Sequence, residues 1–143
     1  MFRVSAKTDY AIRALVELAR ARPGPVKADV LATEQHIPRR YLETTLGELR
    51  VAGLVRTRRG ADGGYWLASP PDDITIASII VALEGALMDV RAVPVDGQDD
   101  VAASLSEVWG SAESALAEVL QKVTLADVMD GSIVLSTDLA DQQ

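Results

Sequence analysis

Ala11, Ala14, Leu15, Leu18 and Ala19 recur at helical spacing, with Ser5 ahead of them as a side-chain cap and the run RPGP, Arg22 to Pro25, as a stop. This pattern predicts a first helix. A second, shorter helix is expected over about Lys27 to Glu34, turning Val30 and Leu31 inward. The stretch QHIP interrupts the pattern, and Pro38 suits the first turn of a third helix that points Leu42, Leu46 and Leu49 inward and stops near Gly53. Three helices with a tight turn between the last two make a helix-turn-helix.

The period then shortens. Leu54, Val55 and Thr57 stand on one side of a glycine-rich turn and Tyr65, Trp66 and Leu67 on the other, which predicts a β-hairpin with left-handed conformations at Asp62, Gly63 and Gly64. After the connection PPDD, Ile76, Ile79, Ile80 and Leu83 form the stripe of a fourth helix, and residues 89–100 read as a flexible acidic loop. The most regular element follows. Val101, Leu105, Val108, Trp109, Ala112, Leu116, Val119, Leu120 and Val123 alternate steps of three and four, a seam too long for one small domain to cover. It is expected to meet a second copy across a two-fold interface. TLADVM predicts one more short helix, and the tail from Gly131 is polar. The expected organisation is a DNA-binding domain over 1–70, a linker helix and dimerisation helix over 71–130, and a polar tail over 131–143.

Charge changes the picture because it is divided unevenly. The formal net charge is -7, yet residues 1–66 carry 12 Lys and Arg against 7 Asp and Glu, while residues 67–143 carry 2 against 14. Salt screens interactions beyond roughly 8 Å, so the cationic half can still meet phosphate. On the third helix, Arg40, Glu43, Thr44 and Gly47 share the face opposite the leucines. In a major groove arginine would read guanine, glutamate would accept from cytosine and threonine would touch a base edge or thymine methyl. Alone, that face is equally the solvated side of an ordinary helix. The hairpin tips the balance: Arg56, Arg58 and Arg59 precede Gly60, Gly63 and Gly64, where backbone can approach a phosphate or enter a narrow groove. Arg39, and Lys7 near the start of the first helix, are further candidate phosphate contacts.

Catalytic constellations are missing. The chain has no cysteine and a single histidine, His36, in the turn between the second and third helices, so neither a nucleophile-base pair nor a metal-ligand spacing is specified. The pairs Asp72-Asp73 and Asp99-Asp100 read as solvating, Trp66 and Trp109 as core or interface aromatics. No apolar run is long enough to cross a bilayer, and the cytoplasm is the expected location.

Three runs also resemble a known family: VSAKTDYAIRALVELA, the block IPRRYLETTLGELRVAGLVRTRRGADGGYWLASPPDDITIASIIVALEG, and TLADVM. Together they are similar to the Rrf2 family of winged helix-turn-helix transcriptional regulators over about residues 2 to 130. In the middle block Tyr41, Leu42, Glu43, Leu46, Leu49, Gly53, Leu54, Val55, Arg59, Gly60, Gly63, Gly64, Tyr65, Leu67 and Ala68 fall on the family pattern. The resemblance implies a mainly α fold with a β-hairpin wing, and a homodimer that reads a pseudo-palindromic operator with the third helix in the major groove and the wing in a minor groove. It implies a long C-terminal helix crossing the partner subunit. Many relatives hold an iron-sulfur cluster on three cysteines ahead of that helix, but here the region reads GALMDVRAVPVDGQDD. Asp9 and His36 lie near positions where some relatives recruit another ligand, and oxygen and imidazole alone make a poor cluster site. The expectation is therefore a regulator without a cofactor, a repressor controlled by a small-molecule effector or a regulatory protein, neither an enzyme nor a membrane protein. The competing expectation is a winged helix that binds another protein and no DNA.

Overall fold

The computed structural model describes residues 3–91, 97 and 99–133. Helix α1 (Ala6–Arg20) begins where the Ser5 side chain accepts a hydrogen bond from the Thr8 amide. It buries Ala11, Ala14, Leu15 and Leu18 completely. Helix α2 (Ala28–Gln35) carries Leu31 into the core but leaves Val30 half exposed, at 50%. That corrects the expectation that both turn inward. One residue is 100° of helix, and on an eight-residue element with a narrow contact face only Leu31 reaches the neighbours.

The turn into helix α3 (Arg39–Val51) has a specific construction. His36 takes the left-handed conformation at φ 53, its amide donates to the Thr33 carbonyl, and the Ile37 amide donates to the Ala32 carbonyl. This pair of bonds closes a helix end and drops Ile37 into the core at 3% exposure. Pro38 sits one position ahead of α3, as its cap, and not in its first turn. Leu42, Leu46 and Leu49 are buried. Gly53, at φ 82, follows the last turn and reverses the chain.

Strands β1 (Val55–Arg58) and β2 (Gly64–Leu67) pair antiparallel, with Val55 opposite Leu67 and Arg58 opposite Gly64. The left-handed positions in the turn region are Gly60 and Gly64, not Asp62 and Gly63 as expected from the sequence. Gly63 is a glycine for a different reason: a Cβ there would run into the Arg58 carbonyl across the turn. Val26, just ahead of α2, bridges to Tyr65, so the hairpin gains a third short backbone partner.

A single 3-10 turn at Pro71–Asp73 leads to helix α4 (Ile76–Glu84), whose Ile76, Ile79 and Leu83 are buried. The expected loop over 89–100 ends one residue early, because Asp100 already belongs to the next helix; residues 92–96 and 98 lie outside the described residues. Helix α5 (Asp100–Lys122) starts where the Asp99 side chain accepts from the amides of Val101 and Ala102. At 23 residues it is about 34 Å long. Helix α6 (Leu125–Asp130) opens with a capping box between Thr124 and Asp127. It packs back onto the helices that precede α5, since the Leu125 amide donates to the Ile74 carbonyl and the Leu125 side chain is fully buried in the same core as Leu15, Leu46 and Ile79. Of the polar tail, residues 134–143 lie outside the described residues.

Candidate nucleic-acid interface

The apolar stripe of α3 faces inward and leaves Arg40, Glu43 and Thr44 exposed together on the outside, with Gly47 half-buried between turns. A Cβ at Gly47 would meet nothing within 4 Å, so the glycine leaves open space on that face. The Thr44 hydroxyl donates to the Arg40 carbonyl 3.2 Å away, which holds its methyl outward. Tyr41 is 39% exposed, and its ring meets that of Tyr10 edge to face, with centroids 5.6 Å apart at 76°. This pair ties α3 to α1.

Arg39 is differently placed from Arg40. Its Nε donates to Glu43 Oε1 at 3.0 Å and its Nη1 lies 2.5 Å from Asp29 Oδ1, so one guanidinium spans from the start of α2 to the second turn of α3. The hydrogen bond to Glu43 first, and the charge of Asp29 next, raise its already high pKa. All three groups are exposed, and such pairs exchange readily for phosphate partners. Lys7 is also paired, with Nζ 3.1 Å from Glu48 Oε2 on α3.

On the hairpin, Arg56, Arg58 and Arg59 are exposed, and so are Gly60, Ala61 and Asp62. Arg58 donates through Nη2 to the Asp62 carbonyl at 3.0 Å, and the Gly63 amide donates to the Gly60 carbonyl at 3.0 Å. Arg58 therefore braces the tip, while Arg56 and Arg59 extend from it. Ion pairs among the described residues engage Lys7, Arg13, Arg20, Arg39, Arg91 and Lys122. Arg40, Arg50, Arg56, Arg58 and Arg59 are in none of them.

Arg50 is the residue that the sequence reading passed over. It is exposed at the last turn of α3, and with Arg56 and Trp66 it lines an open groove between that helix and the hairpin. The signal was available: Arg50 lies three positions beyond Gly47, so it extends the stripe begun at Arg40. Trp66, opposite Arg56 across the hairpin, is only half-buried and forms the floor of this groove.

A second feature concerns α5. None of its residues is buried, and Val101, Leu105, Val108, Trp109 and Val119 are between 42% and 67% exposed. Leu116 is half-buried, Ala112 is exposed, and of the seam Leu120 and Val123, at its end, pack against the core.

The pattern of the Rrf2 family, described as "Iron-dependent Transcriptional regulator", matches residues 4–131. The chain belongs to the Rrf2 family. CymR of Bacillus subtilis, an HTH-type transcriptional regulator, is 37% identical over 127 residues, which is 88% of each chain. Rv1287 of Mycobacterium tuberculosis, named as an HTH-type transcriptional regulator, is 41% identical over 137 residues, 92% of this chain and 83% of the relative. Among solved structures, CymR (YrzC) of B. subtilis superposes with a TM-score of 0.76 at 36% identity over 92% of this chain and 98% of that one. IscR of T. potens gives 0.71 at 33% identity over 99% and 91%. This Rrf2 chain is thus a transcriptional regulator with a winged helix-turn-helix, and its relatives are not enzymes.

Iron is the point on which this member fits its family poorly. A cluster needs soft thiolate ligands, and the 143 residues contain none. His36, the lone imidazole, stands in a helix-terminating turn that its backbone forms, and Asp9 accepts from Arg13 Nε at 2.7 Å. Among the described residues no three His, Asp or Glu groups gather as a metal site, and no helix is long and apolar enough to cross a membrane.

Proposed function

We propose that this Rrf2 protein is a homodimeric, sequence-specific DNA-binding repressor that works without an iron-sulfur cluster and is switched by a small molecule or a partner protein. The observation that carries the DNA reading is the set of exposed arginines, in no ion pair among the described residues, that extends from Arg40 and Arg50 on α3 to Arg56, Arg58 and Arg59 on the wing, in a chain with net negative charge. Base readout falls to Arg40, Glu43 and Thr44. Tyr41 and Arg39 border them, and Arg39 would exchange Asp29 for a backbone phosphate. Arg59 and the exposed Gly60 at the wing tip meet the backbone along the minor groove, while Gly63, buried, and Gly64, packed against Val26, shape that tip from beneath; Arg56, Arg58 and Arg50 lie on phosphates. The exposed seam of α5 supports the dimer: a second copy presents the same stripe and removes it from water. Two recognition helices and two wings would then read two half-sites on one side of a pseudo-palindromic duplex.

Mobility shift on genomic fragments at several salt concentrations tests the reading, and absence of any shifted species would favour a protein-binding winged helix instead. Within it, Arg59→Ala, present in both wings of the dimer, should weaken binding to every sequence and reduce the slope of log affinity against log salt by about 1.8, roughly 0.9 for each lost phosphate contact. An unaltered slope would take Arg59 off the DNA.

Glu43→Ala has a two-part expected outcome. It removes an acceptor for cytosine, so discrimination at one operator position should fall about tenfold. It also frees Arg39, whose Nε it now engages at 3.0 Å, so affinity for unrelated DNA should hold or rise. Binding to a library with each operator position randomised checks both parts, and a uniform loss at all positions would contradict a base-reading role.

A further inference from the structure

The buried stripe Leu42, Leu46 and Leu49 sets which face of α3 points inward. Polar contacts at the edge of that stripe fix its finer placement, and one of them is unusual. Glu48 Oε2 is buried and accepts no hydrogen bond of good geometry, yet lies 3.1 Å from Lys7 Nζ. A carboxylate oxygen out of water is costly unless a cation offsets it. Here the cation is Lys7, whose side chain is 27% exposed; the Glu48 side chain is 39% exposed, and it is its Oε2 that turns inward to Lys7.

Lys7 lies in the first turn of α1, between two hydroxyls that face a second carboxylate. The Ser5 hydroxyl donates to Glu84 Oε1 at 2.5 Å and that of Thr8 donates to the same oxygen at 3.3 Å. The Ser5 oxygen also lies 3.2 Å from the Thr8 oxygen, but one hydroxyl has one proton and the shorter contact takes it. Glu84 is the last residue of α4, and its charge sits at the amino end of α1, where the helix dipole favours an anion. The first turn of α1 thus holds carboxylates from two other helices, Glu84 on one side and Glu48 on the other.

We propose that Lys7 and Glu84 are positioning residues for the DNA-reading helix: Lys7 holds α3 by Glu48, and Glu84 holds the turn of α1 that carries Lys7. The fine placement of α3 is then tied to the end of α4, the point where the chain leaves toward α5. Lys7 acts on DNA through Glu48 and touches no phosphate. The consequence for affinity rests on the DNA-binding reading above, whereas the tie between the helices does not.

The test uses Lys7→Met, Glu84→Ala, the two combined, Glu84→Gln, and the charge exchange Lys7→Glu with Glu48→Lys. Affinity is measured by fluorescence anisotropy for a duplex that the wild-type protein selects from a random library, at several salt concentrations. Each single variant should bind about tenfold more weakly with an unaltered salt slope, because no phosphate contact is lost. The combined variant should lose clearly less than the product of the two, as expected of groups acting through one turn. Glu84→Gln, which still accepts from Ser5 and Thr8, and the charge exchange should both recover most of the affinity. A slope reduced by about 1.8, roughly 0.9 for each of the two copies, in Lys7→Met would put Lys7 on a phosphate and overturn the proposal. Multiplicative losses without recovery would overturn it as well. Amide hydrogen exchange of the free proteins should quicken at Glu48 to Val51 of α3 in both single variants, and unchanged protection there would show that no tie exists. If the wild type selects no duplex, the DNA-binding reading fails by itself, and the exchange measurement still decides the tie.

Discussion

Replacing Val108 and Trp109 together by glutamate should leave a folded monomer that has lost its operator. Both side chains are about half exposed in the single chain, and neither belongs to its core, so the change removes little of what holds the protomer together. Across a two-fold axis each glutamate would meet its own symmetry mate or the apolar stripe beside it, and a charge placed there must be desolvated without a partner. Sedimentation equilibrium should show the protomer mass where the wild type shows twice that mass. Circular dichroism should keep its helical signal. Affinity should fall by about 10²- to 10⁴-fold, because joining two half-site contacts in one particle is what raises weak individual binding to useful strength. A variant that remains dimeric would move the interface away from the α5 seam.

The second large effect is expected where the wing packs against Val26. In Gly64→Ala the new Cβ would lie 2.7 Å from the Val26 carbonyl oxygen, and the residue would have to hold φ 143. The obstacle is backbone, and relief means separating Val26 from Tyr65. That pair is joined by the Val26 amide to the Tyr65 carbonyl at 2.9 Å and the Tyr65 amide to the Val26 carbonyl at 2.8 Å. Strain together with two weakened hydrogen bonds should cost about 3 kcal/mol. For a chain of this size that is about 10 °C in thermal midpoint. Gly60→Ala is the control: its φ of 107 is also unfavourable, but a Cβ there meets nothing within 4 Å, so only about 1 kcal/mol is expected. Thermal unfolding of the two variants side by side checks the difference. Equal losses would mean that the Val26 approach has no part in holding the wing.

Most elements were legible because their signals are local. The stripe Ala11, Ala14, Leu15, Leu18, the alternation around the glycine turn and the cap at Ser5 each need only neighbours within a turn or two of chain. Errors arose where a local rule left a choice. On α2 the pattern turned both Val30 and Leu31 inward, and in the folded chain only Leu31 reaches the core. In the hairpin the cluster Asp62, Gly63, Gly64 announced a turn without saying which glycine serves φ and which serves space. Gly63 serves space, and the reason lies in Arg58 across the turn. The candidate interface was legible in the same degree. Arg40, Glu43, Thr44 and the wing arginines followed from spacing and charge, and Arg50 was missed although the same spacing led to it.

The sequence by itself determined the class of the fold, the Rrf2 resemblance, the uneven placement of charge and the lack of any thiol, since all of these depend on which residues occur and how far apart they are in the chain. Only the tertiary structure decided which cations are already spoken for. Lys7 and Arg39 look no different from Arg56 or Arg59 in a linear reading, but Glu48 comes to Lys7 from 41 positions away and Asp29 comes to Arg39 from another helix. Coulomb attraction acts through space over a few ångströms, and only the folded chain says which charges lie within that range.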